Sequence, residues 1–384
     1  MKAISVSILL ITPLLAMGQQ ALFDASNLKS PEINADNSVT FRVYAPKAET
    51  VIVNGDFAGS PLSLTNDGNG VWSANSGSLA PELYQYAFDI DGVRTLDPSN
   101  VYTVRDVSTL SNYFLIDDIN SPAHNYMVND VPHGTMSRVW YHSPTMGKKR
   151  RMSVYTPPGY EEGTDSYPVL YLMHGAGGDE EAWPALGRTA QILDNLIAQG
   201  KAAPMIVVMT NGNATQTAAP GESAEGLVVP SFDISRMNRG EIELAFPDVV
   251  NFVDSNYRTK AEKKYRAIAG LSMGGFHSLH ISKQYPEMFD YVGLFSAAIF
   301  PPDGAQSSVY QDSEAKLQKQ FRLNPKLYWI AIGDQDFLYQ DNVKFREILD
   351  KNNYPYTYFE TPDGHIWKNW RIYLSEFVPQ LFID

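Results

Sequence analysis

Two patterns of hydrophobic and polar positions divide the chain. From about residue 32 to 116 the apolar positions alternate over short runs. In "SVTFRVYAP", Val39, Phe41 and Val43 alternate with Thr40 and Arg42, the period of a strand with one buried face. "TVIVNGDF", "GVWSANS" and "LYQYAFDIDG" follow, separated by the turn-rich "NDGNG" and "APE". Short strands at this spacing predict a small β-sandwich, with Trp72, Tyr84, Tyr86 and Phe88 as alternating core positions. Residues 117–135 are polar and turn-rich and predict a linker. Beyond them "YPVLYLMHG" and "APMIVVMTN" are continuously apolar, as strands covered on both faces of a parallel sheet must be. "RTAQILDNLIAQG" brings Ile192, Leu193 and Leu196 to helical spacing. "YRAIAGL", "YVGLFSA", "KLYWIAIG" and "YTYFET" supply later strands, so residues 136–384 predict an α/β domain.

Composition adds limits. At 384 residues the chain is long enough for two cores, and 44% hydrophobic with 19% charged residues is ordinary globular usage. A formal net charge of -13 argues against a nucleic-acid partner, which would need clustered Lys and Arg. The one basic run, "KKRR" at 148–151, reads as a solvated turn. "MKAISVSILLITPLLAMGQQ" has a basic start, an apolar stretch and small residues at Ala16 and Gly18. It predicts an export signal over residues 1–18, cut near Gly18, and a secreted or periplasmic product. No later run approaches the roughly 20 apolar residues of a membrane span. With no cysteine, thiolate chemistry and disulfides are unavailable.

The candidate chemistry lies in "AIAGLSMGGF". Ser272 sits between an apolar strand and a helix-like stretch, flanked by glycines, as the nucleophile elbow of an α/β-hydrolase requires. Partners in such a fold follow in the order acid, then histidine. Of the seven histidines, His277 and His280 lie on the helix that Ser272 opens, and only His365 lies further on, after the last predicted strand. "GDQDFLY" offers two aspartates. Asp334 directly follows its strand, whereas Asp336 leaves a short loop through which a carboxylate turns back toward His365, which favours Asp336. An oxyanion hole needs two backbone N–H groups. Met273, after the nucleophile, offers one, and Ala176 in "LMHGAGGDEEAW" the other, with His174 packed or hydrogen-bonded beneath that loop. No cofactor or metal is called for, since no His/Asp cluster has ligand spacing.

Two resemblances follow. "FRVYAP", "VIVNGDF", "GVWS", "YQYAFDIDG" and "LDPSN" resemble the immunoglobulin-like carbohydrate-binding module of family 48. "VYTPPGY", "YLMHGAGGDEEAW", "GLSMGG", "GDQDFLY" and "GHIWKNW", in that order, resemble carbohydrate esterase family 1, the group of feruloyl and acetyl xylan esterases. The resemblance implies an α/β-hydrolase fold over residues 136–384, behind an immunoglobulin-like β-sandwich at 32–116. It implies a serine esterase acting on feruloylated or acetylated xylan fragments, with feruloyl release as the expected reaction and an acetyl xylan esterase or broad-specificity esterase as the alternative. In that family the aspartate of the G-x-x-D segment is the triad acid, which supports Asp336. A non-catalytic glycan-binding protein is the alternative of another class, and the presence of Ser272, Asp336 and His365 together argues against it. Loops at the C-terminal strand ends nominate Trp183, Asn211, Phe232 and Ile299 as substrate contacts. Trp370 recurs with Ile366, Leu374 and Phe377 at near-helical spacing and reads as core. Nothing in the sequence speaks to oligomeric state.

Overall fold

The computed structural model of the protein describes residues 28–226, 239–302 and 304–383. The expected export signal at residues 1–18 lies outside them. The chain divides into two compact units, residues 1–78 with 87–101, and residues 79–86 with 102–384.

The first unit contains β1 (Glu32–Ile33), β2 (Ser38–Tyr44), β3 (Val51–Gly55), β4 (Leu62–Ser63), β5 (Thr65–Asn66) and β6 (Val71–Ser78). It also holds the later half of β7 (Glu82–Ile90) and β8 (Val93–Thr95). β1, β2, β6 and β5 form one antiparallel sheet in that order. β3 pairs with β4, and β8 pairs with β7 from Phe88 to Ile90. The period-2 pattern of β2 puts Val39, Phe41 and Val43 inside. Trp72 is buried with them, and its indole N–H donates to the Ala45 carbonyl at 2.9 Å. That bond satisfies the one polar atom of a core tryptophan.

In the second unit β10 (Thr109–Ile116) pairs with β9 (Thr103–Asp106) and with the first half of β7. Its main body is an eight-stranded sheet in the order β11 (Thr135–Ser143), β12 (Lys148–Thr156), β14 (Ile206–Thr210), β13 (Val169–Met173), β15 (Arg266–Leu271), β16 (Tyr291–Phe295), β17 (Leu327–Gly333), β18 (Thr357–Thr361). β11, β12 and β14 pair antiparallel, and every pair from β14 to β18 is parallel. Along β13, Leu170 and Leu172 enter one core while Val169, Tyr171 and Met173 enter the other. The first core is completed by α1 (Ala182–Ala185), α2 (Thr189–Ala198) and α7 (Trp367–Phe377). The second is completed by α3 (Glu241–Asn256), α4 (Met273–Gln284), α5 (Ser313–Arg322) and α6 (Tyr339–Lys351). A sheet covered on both faces explains why these strands carry no polar alternation.

Two expectations need correction. The 117–135 stretch is no free linker: Pro122–Tyr126 forms a 3-10 turn whose Ala123 and Tyr126 are buried in the first core. Asn195 of α2 fastens it by donating to the carbonyls of Asn125 and Met127. The sequence hid this because a single buried aromatic among polar residues has no period. "KKRR" is not a solvated turn either. It opens β12, and Arg150 and Arg151 are both buried. Their charges are met by oxygen partners distant in sequence, which no local pattern displays.

Two buried histidines give the fold an acid sensitivity. His174, at the end of β13, accepts the Gly212 N–H through Nε2 at 2.7 Å, so its proton sits on Nδ1 and is donated to the Gly175 carbonyl at 2.7 Å. Burial pushes its pKa down to about 4. His280 of α4, packed against the rings of Phe276 and Tyr310, is pushed well down by burial too. Below about pH 6.5 the unfolded chain binds protons that the folded chain refuses, so folding stability falls with decreasing pH. His174 alone removes about 1.4 kcal/mol per pH unit between about 6.5 and 4. Urea unfolding at pH 7, 6 and 5 should show stability falling as the pH is lowered, and a flat profile would contradict it.

Candidate active site

The site is built on backbone before side chains. Ser272 follows β15 and opens α4 with φ 53° and ψ −116°, a conformation that L-residues avoid at a cost of about 1–3 kcal/mol. The surroundings hold it there. Its N–H donates to the Phe295 carbonyl of β16 at 2.9 Å, and its carbonyl accepts from Phe276 at 3.0 Å and Ala298 at 3.1 Å. The flanking glycines serve close approach. A Cβ at Gly274 would lie 2.3 Å from the Met173 carbonyl oxygen, and one at Gly270 would lie 2.4 Å from the Gly274 carbonyl carbon. Helix α4 can therefore start directly against the ends of β13 and β15 only where no side chain intervenes.

The loop after β13 lies against this turn. A Cβ on Gly175 would sit 3.3 Å from the Ser272 Cβ, which puts the Ala176 segment beside the serine. Ala176 is half-buried, and Met273 is buried as the first residue of α4. His174 lies beneath the loop as the neutral imidazole described above, with both ring nitrogens spent on backbone groups.

Asp336 and His365 meet at the ends of the next strands. Asp336 follows β17, and His365 follows β18, so both stand with Ser272 at the C-terminal edge of the parallel sheet. His365 Nδ1 and Asp336 Oδ2 are 2.8 Å apart, and the Asp336 carboxylate is buried while the imidazole is partly open. Asp336 Oδ1 also accepts the Leu338 N–H at 2.9 Å, which fixes the carboxylate. Asp334, the alternative, is exposed, and its backbone N–H is used by the Thr361 carbonyl. A carboxylate on Nδ1 leaves Nε2 as the nitrogen that can take a proton from a hydroxyl.

The nominated substrate contacts fare unevenly. Trp183 is 1% exposed, donates its indole N–H to the Met173 carbonyl at 2.9 Å and packs edge-on against Phe295 and Trp367. It is a core side chain with no open face. Asn211 is buried too. Its amide donates to Glu180 at 2.9 Å, and its carbonyl oxygen accepts from the Asn213 N–H at 2.8 Å, so it shapes the loop after β14. Ile299 is buried in the second core, and Phe232 lies outside the described residues.

Sequence reasoning passed over Glu180. Fully buried, it accepts from Arg151 at 2.7 Å and the Ala219 N–H at 2.8 Å through one oxygen, and from Asn211 through the other. It therefore ties the loop after β13 to the loop after β14. Arg151 also reaches Glu181 at 2.9 Å and Glu222 at 2.7 Å. The only trace in the sequence is the pair "EE" at 180–181, which does not say which glutamate turns inward. A second omission is Phe337, exposed beside His365.

Comparison with known proteins agrees with this arrangement. Residues 29–103 match carbohydrate-binding module 48, the isoamylase N-terminal domain, and residues 143–381 match the esterase family model. An endo-1,4-beta-xylanase/feruloyl esterase of Xylanibacter ruminicola is 35% identical over 288 residues, 71% of this chain and 37% of that protein. An esterase of Mycobacterium tuberculosis is 26% identical over 275 residues, 60% of this chain and 56% of its own length. The chain thus spans well under two thirds of these curated relatives. Among solved structures, a ferulic acid esterase of carbohydrate esterase family 1 from Anaeromyces mucronatus is 26% identical with a TM-score of 0.54. The match covers 67% of this chain and 93% of that one. An enterobactin esterase from Shigella flexneri, 16% identical with a TM-score of 0.62 over 90% of this chain and 93% of its own, shares the fold. With the elbow, the parallel sheet and the family match in agreement, the chain belongs to the esterase family, its α/β-hydrolase domain preceded by a carbohydrate-binding module 48 domain.

Proposed function

We propose that the protein is an exported serine carboxylic-ester hydrolase that releases ferulic acid from feruloylated arabinoxylan through an acyl-enzyme. The observation that carries the chemistry is the 2.8 Å contact between His365 Nδ1 and the buried Asp336 carboxylate, with Ser272 on a strained turn at the same sheet edge. The acyl group is carried by the likeness to relatives named feruloyl or ferulic acid esterase.

In the proposed reaction Ser272 Oγ attacks the ester carbonyl carbon and passes its proton to His365 Nε2. Asp336 holds the Nδ1 proton and stabilises the imidazolium. The carbonyl electrons move onto an oxyanion received by the amides of Ala176 and Met273. Collapse breaks the bond to the sugar oxygen, which leaves with the proton from His365. Water then attacks the acyl carbon while His365 takes its proton, the bond to Ser272 Oγ breaks, His365 returns the proton to that oxygen, and ferulic acid departs.

Purified protein should release ferulate from methyl ferulate and from xylanase-shortened feruloylated arabinoxylan. Release of acetate from natural xylan with no ferulate would reassign it as an acetyl xylan esterase. Failure to hydrolyse even p-nitrophenyl acetate would favour a non-catalytic glycan-binding protein.

The acid assignment has its own test. Asp336→Asn should lower kcat by about 10⁴-fold, because the wrong imidazole tautomer is then favoured, and Ser272→Ala should be at least as severe. Asp334→Asn should stay within about tenfold of the parent, since an exposed carboxylate off the imidazole stabilises little. The reverse ranking of the two aspartates in purified variants would show that Asp334 is the acid.

A further inference from the structure

The loop that carries Asp336 holds a side chain that acyl transfer does not use. Phe337 is 76% exposed, although its backbone neighbourhood is fixed. The Asp336 N–H donates to the Gly333 carbonyl at 3.1 Å, and Tyr339 donates back to the Asp336 carbonyl at 2.9 Å. A single exposed phenyl ring is ordinary on a protein surface, so its meaning here comes from what it stands beside.

Its position selects the partner. The ring centroid of Phe337 lies 4.6 Å from that of His365, with the planes tilted by 52°. The imidazole already has a buried neighbour in Trp370, edge-on at 5.0 Å, and the Asp336 carboxylate on Nδ1. Phe337 is therefore not required to hold the ring. In acylation His365 hands its proton to the leaving alcohol, whose oxygen must come within about 3 Å of Nε2. In the proposed reaction the acyl carbonyl oxygen is received separately, by the amides of Ala176 and Met273. Whatever group the departing oxygen carries must lie beside the imidazole, within reach of Phe337.

We infer that Phe337 determines specificity for the leaving group, as a platform on which the C–H face of the ester-bearing sugar stacks. The inference rests on the reading of Ser272, Asp336 and His365 as an ester-hydrolysing triad, but not on the identity of the acyl group.

The test compares two esters that share an acyl group and differ in the alcohol. These are a feruloylated arabinoxylo-oligosaccharide and methyl ferulate, each assayed with the full chain and with Phe337→Ala and Phe337→Trp. Phe337→Ala should lower the ratio of kcat/KM, sugar ester over methyl ester, by about tenfold, as expected for loss of one aromatic anchor. Phe337→Trp should keep the ratio within about threefold of the parent, because a larger ring restores the platform. Because the sugar has left before water attacks, the loss should fall on acylation, read from the burst phase. An unchanged ratio overturns the inference. So does an equal loss on both esters with slowed deacylation, which would mean that Phe337 only steadies His365. If the parent accepts acetyl and not feruloyl esters, acetylated xylo-oligosaccharide against ethyl acetate gives the same ratio, and only the feruloyl reading falls. Hydrolysis of no ester at all would overturn the triad reading and this inference together.

Discussion

The backbone of Ser272 is the constraint around which the second unit is organised. A φ of 53° is held by hydrogen bonds that reach β16 and the loop beyond it, so the elbow exists only when the parallel sheet has formed. The glycines at 270, 274 and 275 make room for this contact, the last against Ala297 at 2.5 Å from where a Cβ would stand. A strained turn of this kind persists because neighbouring strands over-determine it, and its energy is offset by the burial of both sheet faces. The same crowding brings Gly175 to the serine, so Ser272 and the loop after β13 are positioned by one set of backbone contacts.

Charge buried behind these loops does the rest of the positioning. Arg151, Glu180 and Asn211 come from β12, the loop after β13 and the loop after β14. Their mutual bonds make a rigid floor for two loops that would otherwise be free at a sheet edge. Arg150 adds donations to the carbonyls of Asn211 and Asn213. Taking such charges from water is costly, and the return is geometric, since removing one partner strands the other in the interior. His174 does the same job without charge. With Nε2 accepting and Nδ1 donating, it bridges the loops after β13 and β14 as a neutral ring.

Much of the architecture was legible in the chain. Continuous apolar runs marked β13, β14, β15, β16 and β17, because strands covered on both faces cannot afford polar alternation. Alternation marked β2, whose one face is buried. Chain order left His365 as the only histidine beyond the last predicted strand, and the short loop of "GDQDFLY" favoured Asp336 as its neighbour. The segment 117–135 and the run "KKRR" were misread, because Tyr126, Arg150 and Arg151 owe their burial to partners dozens of residues away.

Local periodicity and turn chemistry act over a few residues, so the sequence by itself determined the strands, the helices and the glycine-flanked serine between them. Distances between loops were decided only by the tertiary structure. Register along the parallel sheet sets which residues emerge together at its C-terminal edge, and this put the Asp336 carboxylate rather than Asp334 on His365. It also turned Trp183 and Asn211 inward, and it left Phe337 open beside the imidazole. The physical reason is that a side chain's exposure depends on what the rest of the fold packs against it, and no stretch of neighbouring residues encodes that.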